Sequence, residues 1–581
     1  MNPRIGIFWP GDYRGRPNEL ALPGVTEATV QLERALARLG RASYRIEGFL
    51  TRPHEAIEQL GPIDDPLIGV CTHWFYGSHT CDGVIGKDSP LLLASNFSGT
   101  WPGLVGLLNT GACLASIGRE FSRVWTSAAD WSADESFMAR LDEWCRTGRI
   151  EYPADEIGTP AAKAAGPPAD ATRTADESRT AHANSGRASA ASAPTLSRVG
   201  SDAASVAQQV RDQIRRRRIL ALMLGDTSMG MINGYFGPRL LNPIGFTEHK
   251  VDQAWIIDRG ARIEPKRIEN AFKFVRDRGV TFHWREPGAE DFDENATREQ
   301  LRDYLTVFDL VREFKADCLG WQYQLGLLPL RPPSDFAEGL FNSACRPESD
   351  GNVIITATEA DQGNLVPMEL MKRLLAAKGL HPAVMFHDVR WGGEHDGRFV
   401  WVLLNSGSCG AYAFNHDPAT LRGVHSYRQP VGYFPVPGGT FAGESLPGKV
   451  TWARAWIQGS GWGPQPRSVA VGDPCGVQGS VGAVPDRDLS DRDPTGTVSS
   501  DLWMDIGRGE VVKLPEPKRD AWWNGTTRQW PFMAADLGVR QDTIMAHYMS
   551  NHIAVAYGDI FDELVLLSQS LGFRVRVFGA A

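Results

Sequence analysis

Nowhere does this sequence carry an apolar run approaching the roughly 18 residues of a membrane span, so no membrane-crossing helix is expected. It lacks a basic-then-apolar leader as well: Arg4 to Trp9 reads directly as a strand, and the expected location is the cytoplasm. Its eight cysteines, Cys71, Cys81, Cys113, Cys145, Cys318, Cys345, Cys409 and Cys475, include no CxxC pair. That argues against a zinc knuckle and suits reduced thiols better than a disulfide frame. Basic excess is missing too. A formal charge of -9 spread along the chain offers no field to gather nucleic acid, and the expected partners are small molecules or further copies of the chain.

Aromatic residues are absent between Tyr152 and Tyr235, and Thr159 to Ser201 is mostly Ala, Ser, Thr, Gly, Pro and Arg. Such a stretch cannot bury enough apolar surface to offset its ordering entropy, which predicts a flexible linker over 155–205. The run Arg215 to Arg218 beside it reads as a solvated helix end before the strand Ile219 to Leu224, because no aromatics interleave with the arginines.

The rest of the chain is rich enough, at 581 residues and 42% apolar, to bury several cores. Ile5 to Trp9, Leu67 to Cys71 and Leu91 to Ala94 read as strands, with a helix over Thr26 to Leu39, the pattern of a parallel α/β layer. A second unit repeats it with strands at Ile219 to Leu224 and Ala254 to Ile257 and a helix near Pro265 to Arg278. Beyond it, strands are predicted at Val353 to Thr356, Val384 to Phe386 and Phe399 to Leu404, and the Gly/Pro-rich Gly432 to Gly448 suits antiparallel strands and long loops. His552 to Tyr557, Asp559 to Ser570 and Phe573 to Phe578 read as strand, helix and strand. The predicted units are 1–154, 206–352 and 353–581.

Three separated segments offer metal-capable side chains. Glu338 falls in a helical pattern over Asp335 to Ala344, Asp361 follows an apolar strand, and His552 opens another. Carboxyl ends of strands are where ligands gather in α/β folds, which favours Asp361. Glu359 complicates the choice, since period-two alternation would place it on the same face as Asp361. His547 and His552 are close enough in sequence to share a cleft. Two carboxylates and an imidazole leave positions open on a divalent cation, an arrangement suited to catalysis on adjacent sugar oxygens.

At these same segments the chain resembles the L-fucose isomerase family. Ala357-Thr358-Glu359-Ala360-Asp361 is similar to the family's A-T-E-N-D and Ala337-Glu338-Gly339-Leu340-Phe341-Asn342 to its A-E-A-L-L-N. Phe386 to Arg390, Leu404 to Ser408 and Ser550-Asn551-His552 resemble F-A-D-V-R, I-N-S-G-S and the end of N-W-G-A-N-H. Trp74 to Ser78, Phe97 to Gly103 and Thr227 to Met231 extend the likeness toward the amino terminus.

The resemblance implies two amino-terminal Rossmann-like α/β domains and a carboxyl-terminal α+β catalytic domain with a barrel-like part. It implies Mn2+ or another divalent cation on Glu338, Asp361 and His552, with Glu338 and Asp361 carrying protons through a cis-enediol. A sugar would be held by Arg16, Trp74, Gln322, Gln324, Ser406, Trp530 and Asn551. A homo-oligomer, hexamer or trimer, is implied, in which Arg14 or Arg16 and Trp74 serve a neighbouring subunit's site. Gln322 to Pro329 is more apolar than the family's G-Q-R-H-W-T-D-Q, which leaves the sugar open. An epimerase working through the same enediol and a non-catalytic sugar-binding protein are the alternatives.

Overall fold

The computed structural model describes residues 4–99, 103–160, 201–226, 229–459 and 502–579. Most of the expected linker, Thr100 to Pro102, Thr227, Ser228 and Cys475 lie outside the described residues. The architecture is mixed α/β with two parallel sheets and a closed antiparallel barrel, as the resemblance implies.

The first sheet comprises β1 (Ile5–Pro10), β2 (Ser43–Leu50), β3 (Leu67–Cys71), β4 (Leu91–Asn96) and β5 (Ser122–Thr126), all parallel in the order β2-β1-β3-β4-β5. β3 is buried at every residue, as a strand covered on both faces must be. The helix after β1 runs over Arg16–Arg38, starting earlier than the predicted Thr26 because Pro17 opens its first turn.

β6 (Ile157–Gly158) is a short strand that joins the barrel described below. Two ends of the predicted linker are therefore structured: Ile157 and Gly158 pair in a sheet, and Ser201–Arg216 is helical. The second sheet holds β7 (Ile219–Leu224) and β8 (Phe246–Val251), then, past the short β9 (Thr281–Phe282), β10 (Cys318–Trp321) and β11 (Ile355–Thr358), parallel in the order β11-β10-β7-β8. β11 thus belongs with the second sheet, so a boundary at 352/353 falls just before one of that sheet's strands. The predicted strand Ala254 to Ile257 is instead a helical turn, Ala254–Gly260, where Trp255 and Ile257 stay exposed and only one face is buried. A short apolar run fits either element, and tertiary packing decides.

The barrel contains β12 (Val384–His395), β13 (Arg398–Leu404), β15 (Gly448–Ile457), β16 (Leu502–Val511), β17 (Phe532–Asp536) and β18 (His552–Tyr557), closed by pairing of β15 with β16. β14 (His425–Ser426) pairs with β9 outside it, and β19 (Arg574–Phe578) extends the sheet beside β16 toward β6. Between His425 and Gly448 the chain runs mostly as the long loop expected over Gly432 to Gly448, and the antiparallel strands expected there reduce to isolated bridges. At the β15/β16 closure Trp452 faces Gly507, and a Cβ on Gly507 would lie 2.2 Å from the indole. Gly507→Ala is expected to destabilise the fold by about 1–3 kcal/mol through overpacking, read as a lower urea midpoint at unchanged slope.

Helix Gly103–Ser116 joins these parts. It is buried along Gly103 to Ala115, packing on β3 and β4 on one side and on β12 and β15 on the other. A helix apolar all round has to be internal. Gly106 permits the close approach, since a Cβ there would meet the His73 carbonyl at 2.4 Å.

Candidate active site

β11 ends at Thr358, and the chain then takes a left-handed turn through Glu359 (φ 64) and Ala360 (φ 55) before Asp361 caps the helix Gln362–Ala377. Non-glycine residues rarely hold this conformation, and two in succession mark a strained junction of the sort found at active sites. Met229 and Tyr323, near the same place, share it. The turn also cancels the period-two expectation. Glu359 faces a cavity, whereas Asp361 turns toward Arg454 on β15.

The Asp361 carboxylate is fully engaged. Oδ1 accepts from the Gly363 amide at 2.9 Å, and Oδ2 accepts from Arg454 Nη1 at 2.5 Å and meets His552 Nδ1 at 2.7 Å. Burial by itself would raise its pKa, but the Arg454 guanidinium and His552 outweigh that and hold it down at about 2. His552 shows the reverse balance. Burial disfavours its charge, yet Asp361, Asp388 and Glu359 raise its pKa above the usual histidine value. Its other nitrogen, Nε2, points between Glu359 Oε2 at 3.6 Å and Asp388 Oδ1 at 3.4 Å.

These last three residues wall a small cavity of about 50 Å3, completed by Arg14, Trp74, Val105, Met229, Gln324, Arg390, Ser406, Tyr433, Phe434 and Trp530. Aromatic faces with a few polar groups suit a small polyol. Glu359 Oε2 is buried without a hydrogen-bond partner, and burial pushes the carboxyl up to about 8, with Asp388 adding to the rise and His552 opposing it.

Glu338 stands one side chain back. Its carboxylate accepts from Ser334 Oγ at 2.5 Å and from Thr358 Oγ1, whose hydroxyl also meets Ser408 Oγ at 2.8 Å. Burial raises its pKa, and the neighbouring Asp335 adds to the rise.

Of the residues named from the sequence, His552, Trp74, Gln324, Ser406 and Trp530 line the cavity. Glu338 and Asp361 do not; Asp361 meets the wall residue His552, and Glu338 is bonded to Ser334 and Thr358, neither of which lines the cavity. Asn551 is also behind the wall, donating to Asp388 Oδ1 at 3.2 Å, and Gln322 is held by Gln253 at 2.6 Å. Arg16 is exposed, pairing with Glu19 at 2.7 Å, because it begins a surface helix; its neighbour Arg14 enters the cavity and donates to Gln324 at 3.1 Å. Arg14 and Trp74 reach the cavity of their own chain, where a neighbouring subunit's site had been expected. His547 lies elsewhere, bonded to the Pro153 carbonyl at 2.8 Å.

The sequence reading missed Arg454, which sits in no motif, and left Asp388 and Arg390 unassigned although both fall in the Phe386 to Arg390 element. Tyr433 and Phe434 come from an irregular stretch whose conformation gave no periodic signal.

Residues 496–578 match the sequence model of the family described as L-fucose isomerase, C-terminal domain. No curated protein matches the chain. The matched segment contributes β16, β17, β18 and β19, and with them His552 and Trp530 on the cavity wall. Over residues 496–578, the segment that carries Trp530 and His552, the chain is similar to the C-terminal domain of the L-fucose isomerase family.

Proposed function

We propose that the protein is a divalent-cation-dependent aldose–ketose isomerase working through a cis-enediol, with Mn2+ the expected ion. The observation that carries this reading is the buried meeting of His552 Nε2 with Glu359 Oε2 and Asp388 Oδ1 at the wall of an aromatic, hydrogen-bonding cavity.

The donor chemistry suits such an ion. Carboxylates and one imidazole are ligands for Mn2+ and leave positions open, and the unpartnered Glu359 oxygen shows a donor that the protein itself does not satisfy. Among the described residues no three acidic, His or Cys side chains already form a group that could hold one metal ion. Two sets could close around one. Glu338, Asp361 and His552 are those that the family resemblance implies, and using them requires Arg454 to share Asp361 and Glu338 to leave Ser334 and Thr358. Glu359, Asp388 and His552 line the cavity as they stand, and that placement favours this second set.

When bound, the ion would polarise the sugar carbonyl and acidify the C2 proton. The chain's own residues do the rest. Trp74 and Trp530 cover the open-chain sugar and exclude water, while Gln324 and Ser406 take its hydroxyls. A carboxylate removes the proton from C2 while O1 gains a proton, giving the enediol; loss of the O2 proton and return of one to C1 then yields the ketose. Glu359 is placed for the carbon-centred transfer. In the reading drawn from the resemblance Glu338 and Asp361 share the proton steps, and in both readings ionised Asp361 orients His552.

Ketose formation across a panel of aldoses, with and without chelator, tests the function. Metal-dependent conversion is expected. Conversion to a C2 epimer without ketose would identify an epimerase, and sugar binding without turnover would leave a binding protein. Mn2+ affinity separates the ligand sets: if the cavity-facing set holds the ion, Asp388→Asn weakens binding about 10- to 100-fold and Glu338→Gln changes it little; if the other set does, the order reverses.

A further inference from the structure

Arg390 is the cavity arginine that no hydrogen bond or ion pair holds among the described residues; Asp388 and Tyr433 favour its charge without offsetting the burial that opposes it. Its backbone sits where the β12 register shifts between Val389 and Trp391, so it occupies a bulge in the pairing with β13. Bulges re-aim side chains, and here the guanidinium is delivered to the cavity wall. The residue is 7% exposed and lies over the Trp530 ring, 5.3 Å from its centroid. Among the described residues it donates no hydrogen bond and makes no ion pair. Asp388, whose charge acts on it, already serves Asn551 at 3.2 Å and His552 at 3.4 Å.

The other cationic wall residue differs. Arg14 is neutralised by Asp12 at 2.6 Å and also donates to Gln324. Arg454, deeper still, is matched by Asp361. Taking a guanidinium out of water without a partner is costly, and a neutral hydroxyl returns only part of that cost, whereas a planar or tetrahedral oxyanion accepts two parallel hydrogen bonds and cancels the charge. A cation bound at His552 would add positive charge to the same cavity and strengthen the preference.

We infer that the substrate carries an anionic group, a carboxylate or a phosphate on the part of the chain away from C1 and C2, and that Arg390 binds it. With its guanidinium over the Trp530 ring, Arg390 meets the anion at one end of the cavity while the sugar chain runs toward His552 and Glu359. The inference rests on the isomerase reading for which end of the sugar reacts, but the binding of the anion does not depend on turnover.

The test therefore separates binding from turnover. Calorimetry with the full chain compares three unreactive polyols of matched length: a neutral alditol, the same chain ending in a carboxylate, and its terminal phosphate. An anionic member is expected to bind about 10- to 100-fold more tightly than the alditol, with the tighter of the two naming the group. Arg390→Gln should erase the difference and Arg390→Lys restore part of it, which a structural role alone would not do. Equal affinity for neutral and anionic ligands in the wild type overturns the inference even if Arg390→Gln fails to fold, as does a preference that survives Arg390→Gln. Ketose formation from the matching neutral aldose, uronate and aldose phosphate is followed in parallel. A neutral aldose turned over as efficiently as the anionic sugars overturns this inference and leaves the isomerase intact; anion binding without any ketose does the opposite.

Discussion

Asp361→Asn is expected to reduce kcat/KM by about 10³-fold or more and to lower stability at the same time. The amide keeps the shape and the cap on Gly363, but it gives up the charge that pairs with Arg454 and orients His552. Removing one member of a buried ion pair strands the other, at about 3–5 kcal/mol. Lost turnover could then be a mere folding defect, and a second variant resolves this. Replacing both partners, in Asp361→Asn/Arg454→Met, removes the stranded charge and should recover much of the melting temperature. If turnover returns along with stability, Asp361 acts only on the fold; if stability returns and turnover does not, its part in the chemistry stands.

Glu359→Gln has the opposite signature. Loss of the cavity-facing carboxylate is expected to lower kcat by about 10²- to 10⁴-fold, the range for removing a positioned proton carrier. Melting temperature should hardly move, because the carboxyl is buried, makes no ion pair within hydrogen-bonding reach, and already has an unpartnered oxygen. Near-wild-type kcat in this variant would return the carbon-centred step to Glu338 and Asp361. Because glutamine preserves the side chain's length and the left-handed backbone at 359, a change in kcat cannot be charged to repacking.

The contrast between these two residues also shows what the sequence makes legible. Parallel β/α layers, the Ile219 to Leu224 strand and the His552 to Tyr557 strand follow from apolar runs and their spacing, and the structure has them. Family-like segments pointed to the right end of β11. What could not be read was the direction of individual side chains. Alternation puts Glu359 and Asp361 on one face, but two consecutive left-handed residues break the alternation and send them to different partners. Arg454 belongs to a strand more than ninety positions after Asp361 and meets it only because the barrel closes over β11's end. The swap of Arg16 for Arg14 has the same origin: two positions decide whether an arginine begins a surface helix or precedes it in a buried turn tied to Asp12.

The place of β18 in the barrel sets an order on biosynthesis. It lies between β12 and β15, yet follows both in sequence. While the ribosome has delivered only the earlier strands, β12 and β15 each present an unpaired edge, a hazard for pairing with other chains. Emergence of His552 to Tyr557 closes both edges and delivers the imidazole to the cavity in one event. A nascent chain paused before this strand would be both prone to aggregate and catalytically blank, so the barrel and the reactive centre mature together.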